Sequence, residues 1–337
     1  MPDTLVTVAI PTLAAGARLW ECVSALENQT QRDFEVTIVD NSGQGLVRRH
    51  GAAGPGVRII EPRGNVGFGA AINEAFRQSR GPYLATLNDD AVAHPGWLAA
   101  LVSAIETRPD VGMCASQVRF FGEDALDSAG MLVSGDGVGK QRGHLRPPKF
   151  FPVAEEVLFP SGSAALYRRA MLDQIGLFDG DFFLYGEDTD LGLRARWAGW
   201  RCLYVPEAVV EHHYSHSAGR ASPLKAYYVE RNRLFVLAKN FPARMLLPAP
   251  FVSLARYAWH LRLMLGGRGA AARFRLEGAS AWRLPFYVLR AHAALLRHAP
   301  SLWRKRRAIR RTARLSPQIY RRLLRAHAIS ARRIAEL

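Results

Sequence analysis

Short apolar runs alternate with longer amphipathic stretches through the first hundred residues. Residues 5–10 (LVTVAI) are apolar, rich in β-branched side chains and ended by Pro11-Thr12, the pattern of a buried strand entering a loop. An amphipathic stretch over 17–28 predicts a helix. Residues 35–39 (EVTIV) form a second strand pattern ending at Asp40-Asn41-Ser42-Gly43, and 57–60 (VRII) a third. Arg63-Gly64-Asn65 opens a helix predicted over 67–79; 83–87 (YLATL) predict a fourth strand ending at Asn88-Asp89-Asp90, and a helix follows over 95–106. Strands alternating with helices through short loops predict an α/β fold with a mostly parallel sheet covered on both faces. Residues 112–119 and 163–167 continue as strands. Between them, 120–160 carry Gly, Pro and charge and predict a long loop over the site. A strand at 201–205 leads to Pro206 and a histidine-rich segment, and 222–239 read as a helix with Ser222 as N-cap and Pro223 at its first position.

Composition changes this picture at one point. The chain of 337 residues carries a net charge of +16, but residues 241–337 hold 21 of its 45 Lys and Arg and only 2 of its 29 Asp and Glu. The tail is therefore near +19 and the front near −3, an asymmetry that marks two regions with different partners. Hydrophobic content of 49% and charged content of 22% fit a folded chain. Cys22, Cys114 and Cys202 are far apart in apolar segments and predict buried thiols in a reducing compartment. The start, MPDTLVTVAIPT, reads as a strand and lacks the basic region of a signal sequence. No uncharged apolar run approaches the length of a spanning helix.

The chemistry collects where the strands end. Thr12, Asp40 and Asp89-Asp90 all sit at carboxyl ends of predicted strands, where open α/β sheets form their ligand crevice. Adjacent strand-end carboxylates suit a hard cation such as Mg²⁺ or Mn²⁺, although Asn and Asp equally favour a simple turn. Asp40 either accepts from a pyrimidine base or closes its own turn. Gly64-Asn65-Val66-Gly67-Phe68-Gly69 can approach a diphosphate at a helix start, but it is not ordered as GxGxxG, which argues against a nicotinamide dinucleotide. The segment FDGDFFLYGEDTDLGLRARWAGW at 178–200 places five acids among aromatic residues ahead of a helix. Asp188 there is either a general base or a cap, and Asp190 pairs with Arg194 one turn on. Among His212, His213 and His216, one is a candidate for metal or phosphate. Arg231 and Arg233 are either a phosphate clamp or solvated helix charges.

Taken in order, VTVAIPT (6–12), FEVTIVDNSG (34–43), RGNVGFGAAINEA (63–75), YLATLNDDA (83–91), the long segment 160–200, VPEAVVEHH (205–213) and YYVERNR (227–233) resemble the inverting, metal-dependent glycosyltransferases with the GT-A fold. The likeness extends over about residues 5–240 and is to the family 2 branch that includes bacterial rhamnosyltransferases. It implies that Thr12 and Asp40 meet the nucleotide and that Asn88-Asp89-Asp90 is the DXD-like motif. Asp90 is then the metal ligand and Asp89 lies near ribose or phosphate. It further implies Asp188 as catalytic base and His212, or the adjacent His213, as a metal ligand. Asn41, Gly64, Asn65, Glu187, Arg231 and Arg233 complete the expected donor and substrate contacts.

These readings converge on a glycosyltransferase domain at 1–240 and a basic amphipathic helical region at 241–337. The expected donor is a UDP- or dTDP-sugar such as dTDP-rhamnose, with Mn²⁺ or Mg²⁺ as cofactor. The expected acceptor is a glycan or lipid-linked glycan of the cell envelope. The expected location is cytoplasmic, peripheral on the inner face of the membrane through an anionic lipid surface, with no nucleic acid as partner. Two rivals are weighed. A sugar-phosphate nucleotidyltransferase favours a glycine-rich basic signature after the first strand, where IPTLAAGARLW has a single Arg. A nucleic-acid-binding protein would grip phosphates with the tail.

Overall fold

The computed structural model describes residues 4–51, 56–213, 222–269, 272 and 283–337. The apolar run at the start of the chain is β1 (Val6–Thr12). Then come α1 (Ala17–Glu27), β2 (Phe34–Asp40), α2 (Leu46–His50), β3 (Val57–Ile60), α3 (Phe68–Gln78), β4 (Tyr83–Leu87), β5 (Ala91–Ala93) and α4 (Trp97–Glu106). The chain continues through β6 (Val111–Phe120), β7 (Leu126–Ser128), β8 (Met131–Val133), β9 (Gly139–Gln141), β10 (Glu155–Val157), β11 (Ala164–Arg168), α5 (Arg169–Ile175), α6 (Glu187–Trp197), β12 (Arg201–His212) and α7 (Pro223–Asn240).

The main sheet has the order β10-β12-β6-β11-β4-β1-β2-β3, with β5 beside β12 and β7 beside β6. From β4 to β3 the pairs are all parallel; β11 then runs antiparallel to both β4 and β6, and β12 returns parallel to β6. The sheet is thus mixed, with a parallel half that carries the first strand–helix repeats. Side chains alternate across it as the pleat requires. Val6, Val8 and Ile10 of β1 enter a core with Leu19 and Cys22 of α1 and with Trp97, Leu98 and Leu101 of α4. Helix α3 packs on β1 and β2 but gives none of its buried residues to that core, so it covers the other face. Successive strands are added outward from β1 through β2 to β3 and then on its other side from β4, so the strand order reverses between β1 and β4, the switch point of this topology.

The segment 120–160 is not the long loop that its Gly, Pro and charge suggested. It contains β7, β8, β9, β10 and a 3₁₀ turn at Pro148–Phe150, and residues 126–131 are all buried. The strands are too short to show a two-residue period, which is why composition pointed to a loop. Strand β12 likewise runs well past the 201–205 read from sequence, through an irregularity between Val205 and Val209.

The chain forms two compact units: Met1–Met131 with Gln141–Ala195 and Trp200–Tyr214, and Leu132–Lys140 with Arg196–Gly199 and Ser215–Leu337. The second unit therefore begins ahead of α7, not at residue 241. Helix α7 packs along the long helix Leu284–Thr312, and helix Ala249–Leu265 packs on Ala331–Glu336. Within that unit a buried ion-pair cluster ties Asp136 to α7 and to helix Ala249–Leu265. Arg256 meets Asp136 at 2.7 Å and Glu230 at 2.9 Å, and Arg233 meets Glu230 and the Tyr257 hydroxyl. Two tail arginines close the carboxyl end of α7: Arg306 donates to the Ala238 carbonyl and Arg310 to those of Asn240 and Phe241. Cations at that end also meet the negative pole of the helix. No described helix is long and apolar enough to cross a membrane.

Candidate functional site

The carboxyl ends of β1 and β4 meet through side chains. Thr12 closes β1 and donates its hydroxyl to Asp89 Oδ2 at 2.5 Å, just past the end of β4. Asp89 is pushed up to about 6 by burial, against the hydrogen bond from Thr12 and with the Asp90 charge adding to the rise. Asp90 follows at once, and the antiparallel register His212↔Ala91 brings the end of β12 alongside it. His212 Nε2 lies 3.0 Å from Asp90 Oδ1 and 3.2 Å from Asn88 Nδ2. Burial opposes charge on His212, but hydrogen bonds with Asp127 and Asp90 outweigh it and raise the imidazole to about 10. Burial also opposes ionisation of Asp90, and contact with His212 more than offsets it, so this carboxyl is held below its usual range.

His213 faces elsewhere. Its ring stacks on Phe121 at 3.8 Å and its Nε2 lies 3.2 Å from Glu21. Of the adjacent histidines, His212 is thus the one at Asp90; His216 lies outside the described residues. Asp127 was missed by sequence reasoning. It is 2% exposed, meets His212 Nδ1 at 3.0 Å, and lies in the segment misread as a loop.

The loops after β2 and β3 lock together. Asn41 donates to Asn65 Oδ1 at 3.0 Å and accepts from the Val66 N–H at 2.9 Å, and its own N–H reaches the Thr12 carbonyl. A Cβ on Gly43 would stand 2.7 Å from the Gly64 Cα, so glycine is needed there for the close approach. Asp40 realises the turn chemistry. One oxygen takes the Ser42 N–H and hydroxyl, the other the Val47 N–H at the start of α2. Those bonds overcome its burial and hold its carboxyl below the usual range.

Asp188 stands in the first turn of α6. Its Oδ2 accepts from Gly162 N–H at 3.2 Å and its Oδ1 from Thr189 N–H at 2.6 Å. Burial raises its pKa despite these donors. Glu187 is also raised, to about 8, by burial and the adjoining Asp188 charge, and its Oε2 has no hydrogen-bond partner among the described residues. Phe68 and Phe178 meet edge to face nearby, Phe68 against Gly162 and Phe178 against Gly69. Asp190 pairs with Arg194 at 2.9 Å as the one-turn spacing implied. The 183–186 turn is strained, with φ of 62° at Phe183 and 67° at Tyr185. It docks on the glycine-rich loop: the Phe68 N–H reaches the Phe183 carbonyl at 2.9 Å, and a Cβ on Gly67 would fall 2.2 Å from that oxygen.

Arg231 and Arg233 belong to the second unit. Arg233 is not a solvated helix charge, and its guanidinium is taken by Glu230, Ser253 and Tyr257 because α7 is buried along that side. Arg231 bonds Asn232 and lies over the Tyr228 and Phe235 rings. Among the described residues, no group of three or more His, Cys, Asp and Glu is arranged to hold a metal.

Residues 7–176 match the family described as Glycosyl transferase family 2. The chain is 32% identical over 258 residues to the N-acetylglucosaminyl-diphospho-decaprenol L-rhamnosyltransferase of Mycobacterium tuberculosis, an alignment covering 68% of this chain and 82% of that protein. It is 31% identical over 160 residues to the O-antigen biosynthesis protein RfbC of Myxococcus xanthus, 44% of this chain and 12% of that one. In fold it resembles GalNAc-T7 with UDP, GalNAc and Mn²⁺, with a TM-score of 0.57 and 15% identity over 70% of this chain and 49% of that structure. It also resembles the mannosyltransferase PcManGT of Pyrobaculum calidifontis in complex with GDP-Man and Mn²⁺, with a TM-score of 0.51 and 19% identity over 98% and 86%. With this profile and this degree of identity the chain belongs to glycosyl transferase family 2 and is a sugar transferase.

Proposed function

We propose that the chain inverts a sugar as it transfers it from a nucleotide diphosphate donor to an acceptor hydroxyl, with Asp188 as general base and Asp90 and His212 as the protein ligands of a divalent cation. The observation that supports this most is the convergence of Thr12, Asp89, Asp90 and His212 across the β1/β4 switch point. The pair Asp90–His212 fits a hard cation. Asp90 Oδ1 and His212 Nε2 stand side by side, 3.0 Å apart, and would together hold the cation once it replaces the proton they share. When bound, the metal would supply Lewis acidity to the departing nucleoside diphosphate.

The remaining roles fall to the chain itself. Thr12 and Asp89 sit where ribose and phosphate would enter the crevice. Asp40 uses its carboxylate to shape the loop after β2, and a base contact would have to share an oxygen already hydrogen-bonded to backbone. Asn41 holds Asn65 and Val66 beside that loop, and Gly43 packs on Gly64, where a glycine backbone can approach a ligand closely. Asp188, buried enough to be more basic than an ordinary aspartate, takes the acceptor proton. Glu187, carrying its own proton at neutral pH, is placed to donate a hydrogen bond to a sugar hydroxyl. Arg233 braces α7 within the second unit.

The finer reading is a UDP- or dTDP-sugar donor, dTDP-rhamnose first, and a glycan or lipid-linked glycan of the cell envelope as acceptor. The named activity of the M. tuberculosis relative supports it. The exposed apolar residues and arginines of the tail support a peripheral position on an anionic, cytoplasmic membrane face. A panel of nucleotide sugars incubated with a polyprenyl-diphosphate-linked N-acetylglucosamine acceptor, with Mn²⁺, with Mg²⁺ and with excess chelator, tests it. Transfer from dTDP-rhamnose that stops in chelator is the expected result. Full activity in chelator would remove the metal role, and transfer from a different donor alone would remove the rhamnosyl assignment.

A further inference from the structure

Behind the Asp90–His212 pair stands a buried carboxylate that no motif marks. In the antiparallel pairing of β6 and β7, Val118 faces Ser128 and Arg119 faces Leu126, so Asp127 is the extra residue of a bulge. A bulge takes one side chain out of the regular alternation and re-aims it. Here it aims Asp127 at the end of β12, where Phe120 of β6 pairs with His212. The two carboxylate oxygens are divided between two rings. Oδ2 lies 3.0 Å from His212 Nδ1; Oδ1 lies 3.4 Å from His144 Nδ1 and accepts from Gln141 Nε2 at 3.4 Å. His144 is itself fixed, with Nδ1 3.0 Å from the Asp127 carbonyl and its ring edge-on to Phe120 at 5.4 Å. The carboxylate therefore cannot swing away from His212 without leaving a buried charge unpaired.

We propose that Asp127 is the positioning residue of the metal site: by holding Nδ1–H of His212 it fixes the ring and leaves Nε2 as the only nitrogen offered toward Asp90. The inference rests on the reading of Asp90 and His212 as metal ligands. A carboxylate on the far nitrogen of a metal-binding histidine selects the tautomer and makes the near nitrogen a better donor, and its removal typically costs about 10–100-fold in metal affinity. Asp127→Asn keeps the volume but turns a two-oxygen acceptor into one oxygen and an amide, which cannot hold both rings as a carboxylate does.

The test uses the full chain with UDP and reads Mn²⁺ affinity by electron paramagnetic resonance, alongside the melting temperature in chelator. Asp127→Asn should bind Mn²⁺ about 10–100-fold more weakly than the unaltered chain. A second measurement needs no variant. In ¹⁵N-histidine spectra of the unaltered protein with UDP, adding Mg²⁺ should perturb Nε2 of His212 while Nδ1 keeps its proton. Mg²⁺ shifting Nδ1, or unchanged Mn²⁺ affinity in a folded Asp127→Asn chain, would overturn the positioning role alone. Failure of the unaltered chain to bind Mn²⁺ in the presence of UDP would overturn the metal reading and the Asp127 role with it.

Discussion

Two neighbouring carboxyls in the first turn of α6 are both made harder to ionise by burial, and one of them, Glu187, is raised to about 8. The Glu187 oxygen without a donor marks Glu187 as the one that keeps a proton at neutral pH. Asp188→Asn should lower kcat by about 10²–10⁴-fold in a chain that still folds and binds donor, because the amide takes no proton; its single oxygen can keep only one of the N–H bonds from Gly162 and Thr189. A kcat near wild type would move the base elsewhere. Glu187→Gln fixes the neutral form, so any alkaline limb of the kcat–pH profile set by Glu187 ionisation near 8 should move to higher pH while the acidic limb stays. The folded chain keeps the Glu187 proton up to about 8, whereas an unfolded chain releases it near 4.5. Stability is thus lost as pH rises through that window, and Glu187→Gln should raise the melting temperature more at pH 9 than at pH 5; an equal shift at both would refute the assignment. Thr12, Asp89, Asp90, His212 and Asp188 were legible as candidates because strand ends and a helix start mark them in the sequence. Asp127 was not, since its role depends on a bulge that only strand register reveals. Arg233 was legible as a charge, but its partners lie 20 to 97 positions away or on its own helix, beyond any local pattern.

At the scale of elements, β1 to β4 and the helices between them were readable from long apolar runs with clean stops. β7 to β10 were not, because three-residue strands have no measurable period. Helix α6 is anchored by a buried ion pair. Arg194 meets Asp190 and also donates to the carbonyls of Ile175, Gly176 and Leu177, closing the end of α5 and the segment after it. Neither side chain is more than 8% exposed. Removing one partner of a buried pair strands the other charge, at a cost of about 3–5 kcal/mol. Arg194→Ala should lose about that much in chemical unfolding; a loss below about 1 kcal/mol would show that water satisfies Asp190.

For the whole molecule, the tail's charge divides by use. Arg256, Arg306 and Arg310 are consumed inside the second unit, by carboxylates and by the carbonyl end of α7, and burial brings Arg310 down to about 10. Arg290, Arg297, Arg304 and Arg311 recur every seventh residue on the exposed side of Leu284–Thr312, and Leu289, Leu296 and Trp303 keep the same spacing beside them. Seven residues are nearly two helical turns, so these form a continuous apolar seam edged by arginine. The exposed Leu247, Phe251, Leu254, Leu261 and Leu265 follow the same logic around Ala249–Leu265. The full chain should sediment with anionic vesicles and be partly released by high salt. Replacing the four arginines by Gln should weaken binding on the order of a hundredfold or more, at about 1 kcal/mol per charge. Equal sedimentation of both chains would sink the seam as the contact. Cutting the chain at 240 is a poorer probe, because it bares the side of α7 that Leu284–Thr312 covers.

The seat of Gly67 on the Phe183 carbonyl joins the loop proposed to meet the donor diphosphate to the strained turn leading into Asp188. Two sites that share a rigid contact cannot be filled independently. Whatever factor by which bound donor nucleotide tightens the acceptor, the acceptor must tighten the donor by the same factor, since both routes close one thermodynamic cycle. Calorimetric titration should show it: the factor by which an acceptor analogue changes the Kd of the donor nucleotide equals the factor by which the nucleotide changes the Kd of the analogue, and a factor of one would show the two sites to be uncoupled.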